Sequence, residues 1–363
     1  MAKRVSVDKT LFAVTLLLVF AGLVMVFSAS AVMAQERFDS PYTFLLRQLA
    51  WATAGMAAML VGMNLDYRRY KHPAVVFSLL GITTAMLVAV LFLDRSHNTH
   101  RWIRLGALSF QPSELAKPAL ILFLAYFLET RLRNINDWRS TLVPAIVPTA
   151  IFAGLIVTQP DLGTAMVVVA ITACLLFIAG LRLRYFAAAF LASLVPLYFL
   201  IFRVQWRYER ILAFLNPYSD PQGRGFHIIK SLIAVGTGGV GGVGLMEGKQ
   251  KLFYLPEAHT DFLFAVVAEE TGLIGSLAVL VLFSIFLYRG MRTAALTRDP
   301  FARFLAAGVT AMVVVQALLN ISVVLGLMPT KGIPLPFLSY GGSSLFVTLA
   351  SVGVLLNITQ HTD

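Results

Sequence analysis

Ten long apolar stretches divide this chain, and they decide what it can become. A helix needs about 20 mostly apolar residues to cross a hydrocarbon core of roughly 30 Å, and irregular backbone is too costly at that depth. The stretches fall at 11–33, 45–64, 73–93, 113–129, 141–158, 163–180, 184–202, 261–288, 301–328 and 343–358. They predict an all-α polytopic membrane protein, a single integral domain over 1–363 with about ten transmembrane helices. Composition excludes an ordinary soluble enzyme: 58% of residues are hydrophobic and 13% charged, where a soluble domain carries about 25% charged residues. The first stretch follows Lys3 and Arg4 and holds an Ala29-Ser30-Ala31 sequence like a cleavage site. Its apolar run from Leu11 to Ala34 exceeds the roughly 7–15 residues of a signal peptide, so it reads as a retained helix.

Orientation follows from Lys and Arg in the short loops, which favour the cytoplasm. An inside N-terminus places 15 of them there, among them Lys9, Arg68, Arg69, Arg131, Arg289 and Arg292, against six outside: Arg37, Arg47, Arg95, Arg101, Arg104 and Lys331. Both termini are then cytoplasmic. The sequence pI of about 9.9 becomes a signal of topology, and no nucleic-acid partner is expected. Residues 203–260 form a 58-residue extracytoplasmic loop between helices 7 and 8, a length that loops seldom reach without a function. A single cysteine, Cys174, excludes an internal disulfide and a thiolate metal cluster.

Charges at bilayer depth need an explanation, because each costs about 2.5–3.5 kcal/mol on insertion scales. Glu114 and Lys117 stand i,i+3 at the start of the fourth stretch. Their spacing leaves two readings open, a self-neutralising ion pair or a polar wall facing an anionic headgroup. Glu269 and Glu270 lie two turns into the eighth stretch, 100° apart, so at least one should face the bundle interior. With Asp261 beginning that helix, Glu269 is offset from it by about 80° and the two could line one polar track. Asp261 alone also reads as an N-cap. The segment GTGGVGGVGLMEG at 236–248 contains a formal G-x-G-x-x-G, but no βαβ unit surrounds it; close packing is favoured over an amide nest for phosphate. His97, His100 and His259 invite a zinc site, yet nothing supplies a fixed fourth ligand.

Taken together, longer motifs carry a resemblance. LPEAHTDFLFAVVAEETG (255–272), PTKGIPLPFLSYGGSS (329–344), NPYSDPQGRG (216–225), RWIRLGALSFQPSELAK (101–117) and QPDLGTA (159–165) closely resemble the SEDS family of bacterial shape, elongation, division and sporulation proteins. The likeness covers essentially the whole chain. Pro329-Thr330-Lys331-Gly332 and GKQKLFYLPE (248–257) are more like the division branch than the elongation branch, where Pro-Val-Thr-Gly is usual. His227 departs from the family's common Gln.

The resemblance implies a glycosyltransferase that polymerises lipid II, the undecaprenyl-diphosphate-linked disaccharide-peptide, into peptidoglycan at the outer membrane face. It implies a class B penicillin-binding protein and other division-complex membrane proteins as partners. The family's essential Asp falls on Asp261, its Trp on Trp102, and its polar pair on Glu114 and Lys117. The chemistry asks for a base and several cations. Asp261 is the candidate base; Arg101, Arg104, Lys117, Arg224 and Lys230 are candidate cations for the diphosphate. His259, Thr260 and Glu269 are further substrate-binding candidates. A divalent cation, Mg²⁺ or Mn²⁺, is left open, as are a lipid II flippase and a non-catalytic division scaffold. Trp102 also reads as an interfacial belt residue, and the SYGGSS run (339–344) as a structural re-entrant turn.

Overall fold

The computed structural model describes residues 6–94, 100–105, 108–252 and 255–362; His97 lies outside them. Twelve α-helices occur among the described residues. Ten coincide with the apolar stretches: α1 (Lys9–Phe38), α2 (Thr43–Asn64), α3 (Pro73–Leu93), α4 (Pro112–Arg131), α5 (Val143–Thr158), α6 (Leu162–Ile178), α7 (Leu183–Phe202), α10 (Leu263–Leu296), α11 (Pro300–Val324) and α12 (Gly342–Thr359). Eight stretches of helix are long and apolar enough to span a membrane. The two that fall outside that set are α6, at 17 residues, and α4, which carries Glu114, Lys117, Glu129 and Arg131. Helix starts follow local chemistry: Asp8 accepts from the Thr10 and Leu11 amides, Asp161 from Thr164, and Asp299 from Phe301 behind Pro300 at the first turn, each satisfying an amide the helix leaves unpaired.

The centre of the bundle is α11, packed against α4, α6, α10 and α12. By contrast, no residue of α7 is buried, and its main neighbour is the short helix that follows it. Two regions are more ordered than their sequence suggests. Residues Ile103–Leu105 and Leu108–Phe110 form a two-stranded antiparallel hairpin, β1 and β2, pairing Ile103 with Phe110. The 203–260 connection contains two helices, α8 (Gln205–Leu215) and α9 (Phe226–Thr237).

The expectation for the eighth stretch needs correction. Asp261 does not begin α10; that helix starts at Leu263 and continues to Leu296, beyond the predicted end at 288. It is also interrupted at Gly272, whose φ of 65° and ψ of −159° suit glycine alone. The glycine-rich segment fills the interruption. The amides of Val243 and Gly244 donate to the Glu269 and Glu270 carbonyls at 3.0 and 3.1 Å, and those of Leu273 and Ile274 donate to Gly239 and Val240 at 3.0 and 3.2 Å. A Cβ on Gly272 would lie 2.3 Å from the Gly242 nitrogen. These glycines therefore serve backbone packing, which is what the absence of a βαβ unit indicated.

Candidate active site

A cavity of about 830 Å³ opens at the end of the bundle where α5, α7 and α11 finish and α6 begins. Asp261 lies on its wall together with Arg101, Arg207, Arg210, Arg224 and Lys331. The cations come from several elements. Arg101 donates from Nε to the Gln159 carbonyl at 2.8 Å and also bonds the Pro160 carbonyl. Arg207 and Arg210, on α8, stand over the Trp206 ring at 4.9 and 5.0 Å, so one indole orders two guanidiniums. Arg210 also reaches the Thr330 carbonyl at 3.4 Å. Arg224 sits 3.6 Å from Glu209, an exposed pair of little energetic weight.

Asp261 is fixed through its backbone. Asn320 of α11, buried, donates to the Asp261 carbonyl and to the Ile333 carbonyl, both at 2.7 Å. One amide thus ties the base candidate to the Lys331–Ile333 segment. Gly332 lets them meet: a Cβ there would stand 2.9 Å from the Asp261 Oδ2. Burial raises Asp261 to about 7, with Glu257 and Asp161 pushing the same way and Arg101 and Arg210 opposing. Burial, then Arg210 and Arg207, lowers Lys331 to about 8. The site so holds an acid and a base that both titrate near neutrality. Burial and Arg210 also pull His227, another wall residue, below its ordinary value.

Of the sequence-derived candidates, the cavity brings together Asp261, Arg101 and Arg224. Glu114 and Lys117 lie outside its wall. Lys117 Nζ is 2.8 Å from Glu114 Oε2 and 2.6 Å from Gln316 Oε1, all buried. Gln316 in turn donates to the Pro334 carbonyl at 2.9 Å, so the pair reaches the cavity indirectly, through the loop that carries Lys331. Trp102 is half-buried beside Asp94, which accepts from its amide at 3.0 Å. Arg104 is exposed on β1, and Lys230 stands over the Phe226 ring at 5.5 Å. Thr260 donates to Glu257 at 2.9 Å. His259 is buried between Phe44 and Tyr340, and its Nδ1 has no partner among the described residues.

The supposed track from Asp261 to Glu269 is not formed. Glu269 turns to the glycine-rich segment and accepts from the Lys249 amide at 2.8 Å, while Glu270 takes Lys251 Nζ at 2.6 Å and the Ser28 hydroxyl. Both carboxylates are buried and both clamp the loop over the helix break. Among the described residues, no group of three or more His, Cys, Asp or Glu side chains converges, so the protein alone offers no cluster of that size for Mg²⁺ or Mn²⁺. Sequence reasoning missed Arg207, Arg210, Gln316 and Asn320. Gln316 and Asn320, i,i+4 in a largely apolar helix, carried a readable signal, since polar side chains at that depth face the interior.

Known proteins show the same chain plan. A family model described as cell cycle protein, covering FtsW, RodA and SpoVE, matches residues 8–363. A protein of Geobacter metallireducens named "Probable peptidoglycan glycosyltransferase FtsW" is 46% identical over 94% of this chain and 91% of its own. Stage V sporulation protein E of Bacillus subtilis is 44% identical over 99% of both. Among solved structures, one titled as a peptidoglycan synthase complex that coordinates polymerization and crosslinking contains a chain with a TM-score of 0.81 and 33% identity, covering 99% of this chain and 100% of that one. The rod shape determining protein RodA of Thermus thermophilus superposes with a TM-score of 0.71 at 29% identity, over 98% of this chain and 97% of its own.

Proposed function

Because this chain belongs to the FtsW/RodA/SpoVE family and is a peptidoglycan glycosyltransferase, we propose that it polymerises lipid II with Asp261 as general base. The observation that carries the reading is a carboxylate with a pKa of about 7 on the wall of a cation-rich cavity. In the proposed step the acceptor sugar's hydroxyl oxygen forms a bond to the donor's anomeric carbon as the bond from that carbon to the diphosphate oxygen breaks. The hydroxyl proton passes to Asp261, and the bonding electrons leave with the diphosphate. Arg101, Arg210, Arg224 and Lys331 stabilise the negative charge that gathers there.

Lipid II carries a polyprenyl chain that must remain in the bilayer while its headgroup reacts. The exposed helix α7 supports such an arrangement, because Leu197 and Ile201 line the cavity from a helix with no buried residue. The Lys and Arg distribution places the cavity end outside, where finished strands are needed. A class B penicillin-binding protein is the proposed partner and the division septum the proposed location. Purified protein with that partner should convert lipid II into long glycan strands, and Arg210→Gln should slow the reaction by weakening diphosphate stabilisation. Absence of polymer from the unaltered protein would overturn the reading.

A further inference from the structure

At the opposite end of the bundle a second cleft, of about 330 Å³, lies between the start of α1 and the ends of α10 and α12. The lining of α10 is one helical face: Arg289, Arg292, Thr293 and Leu296, spaced i, i+3, i+4 and i+7. Opposite stand Asp8 and Lys9 of the α1 start and Thr359 and Thr362 of the α12 end. The floor is preorganised. Asp8 caps α1 and pairs with Arg289 at 2.6 Å, while its own amide donates to the Thr359 hydroxyl at 3.2 Å. Asp8 consequently neutralises Arg289 and satisfies the first amides of α1, so neither the helix end nor Arg289 supplies the cleft's attraction.

The attraction comes from what remains. Lys9 and Arg292 are exposed and have no acidic partner among the described residues, so two positive side chains stand beside threonine hydroxyls. Tyr288, one turn before Arg292 on the side toward the bilayer, is 63% exposed, so an apolar flank adjoins the polar cleft. The Lys and Arg count puts this end at the cytoplasmic leaflet, where anionic lipids lie. We propose that the cleft binds the phosphate headgroup of an anionic phospholipid, held by Lys9 and Arg292, with an acyl chain passing Tyr288 toward the bilayer core. A basic pocket between helix ends at that leaflet is chemically suited to such a headgroup, and nothing in the transferase chemistry uses it.

The test titrates the full-length protein in neutral detergent with dioleoylphosphatidylglycerol, dioleoylphosphatidylcholine or sodium phosphate and reads the thermal unfolding midpoint. Phosphatidylglycerol should raise the midpoint saturably, and the other two should not. Both side chains are exposed, so a Lys9→Gln, Arg292→Gln double variant should fold normally. One cation near an anionic lipid surface contributes about fivefold in affinity, so the double variant should bind about thirtyfold more weakly. Arg133→Gln, an exposed cation at the same end outside the cleft, should bind as the unaltered protein does. Unchanged affinity in the double variant, or an equal loss in Arg133→Gln, would overturn the site; equal stabilisation by sodium phosphate would overturn the lipid.

Discussion

Glycan synthesis should follow a narrow bell in pH, and the structure gives both limbs. Asp261 is raised to about 7, so the base form is present above that value and is lost as pH falls through it. Lys331 is lowered to about 8, so its charge is present below that value and is lost as pH rises. The fraction of enzyme with both groups in the working state peaks at about 60% near pH ~7.5 and falls to about 10% at pH ~6 and at pH ~9, a drop of about sixfold on each side. Initial rates of lipid II polymerisation at low substrate, measured across this range with the partner present, report these two groups in the free enzyme. Two substitutions identify the limbs. Glu257→Gln removes a negative neighbour of Asp261 and should move the acid limb to lower pH, though not to an ordinary carboxylate's value, because burial is the larger cause. Lys331→Arg keeps the charge at all working pH values and should remove the alkaline limb. An acid limb near pH ~4, the ordinary carboxylate range, or one that Glu257→Gln leaves unmoved, would refute the reasoning.

Three further outcomes are expected. Lys117→Met leaves the buried Glu114 without its partner at 2.8 Å and should destabilise the protein by about 3–5 kcal/mol; adding Glu114→Gln should recover much of that, and additive losses in the double-mutant cycle would argue against direct pairing. Gly332→Ala places a methyl against the mobile end of the Asp261 carboxylate, so synthesis should fall about tenfold or more while thermal stability changes little, as a displaced reacting group requires; equal losses of both would refute this. In a Cys174→Ala background, single cysteines at the exposed positions Ser219 and Arg133 should label from outside and inside respectively, and the reverse pattern would invert the proposed topology.

Much of the architecture was legible because a bilayer leaves few alternatives. Apolar length alone located all ten principal helices, including α6 and α4, which are the least typical. The α10 break was not legible, because Gly272 reads as an ordinary helical glycine until the distant segment 239–244 is seen to bond across it. The same pairing explains the misplaced Glu269, since helical angles extrapolated from Asp261 assume a helix that begins two residues too early. At the site, Asp261, Arg101 and Arg224 were recognisable from their motifs, but Arg207, Arg210 and Lys331 were not. Arg207 and Arg210 come from a helix inside what looked like a loop. Lys331 shares the cavity wall with Asp261, and Asn320 ties the segment that carries it to Asp261 by bonding the Asp261 and Ile333 carbonyls.

The most direct measurement compares glycan synthesis by purified Asp261→Asn protein with that of the unaltered protein, at matched membrane level and partner binding, near pH ~7.5. Asparagine keeps the size of the side chain and leaves the Asn320 bond to the residue 261 carbonyl in place, so the fold should persist. The account predicts a rate lower by about 10²–10⁴, the usual worth of general-base assistance. Strands made at near the unaltered rate would contradict the assignment of Asp261 as the base.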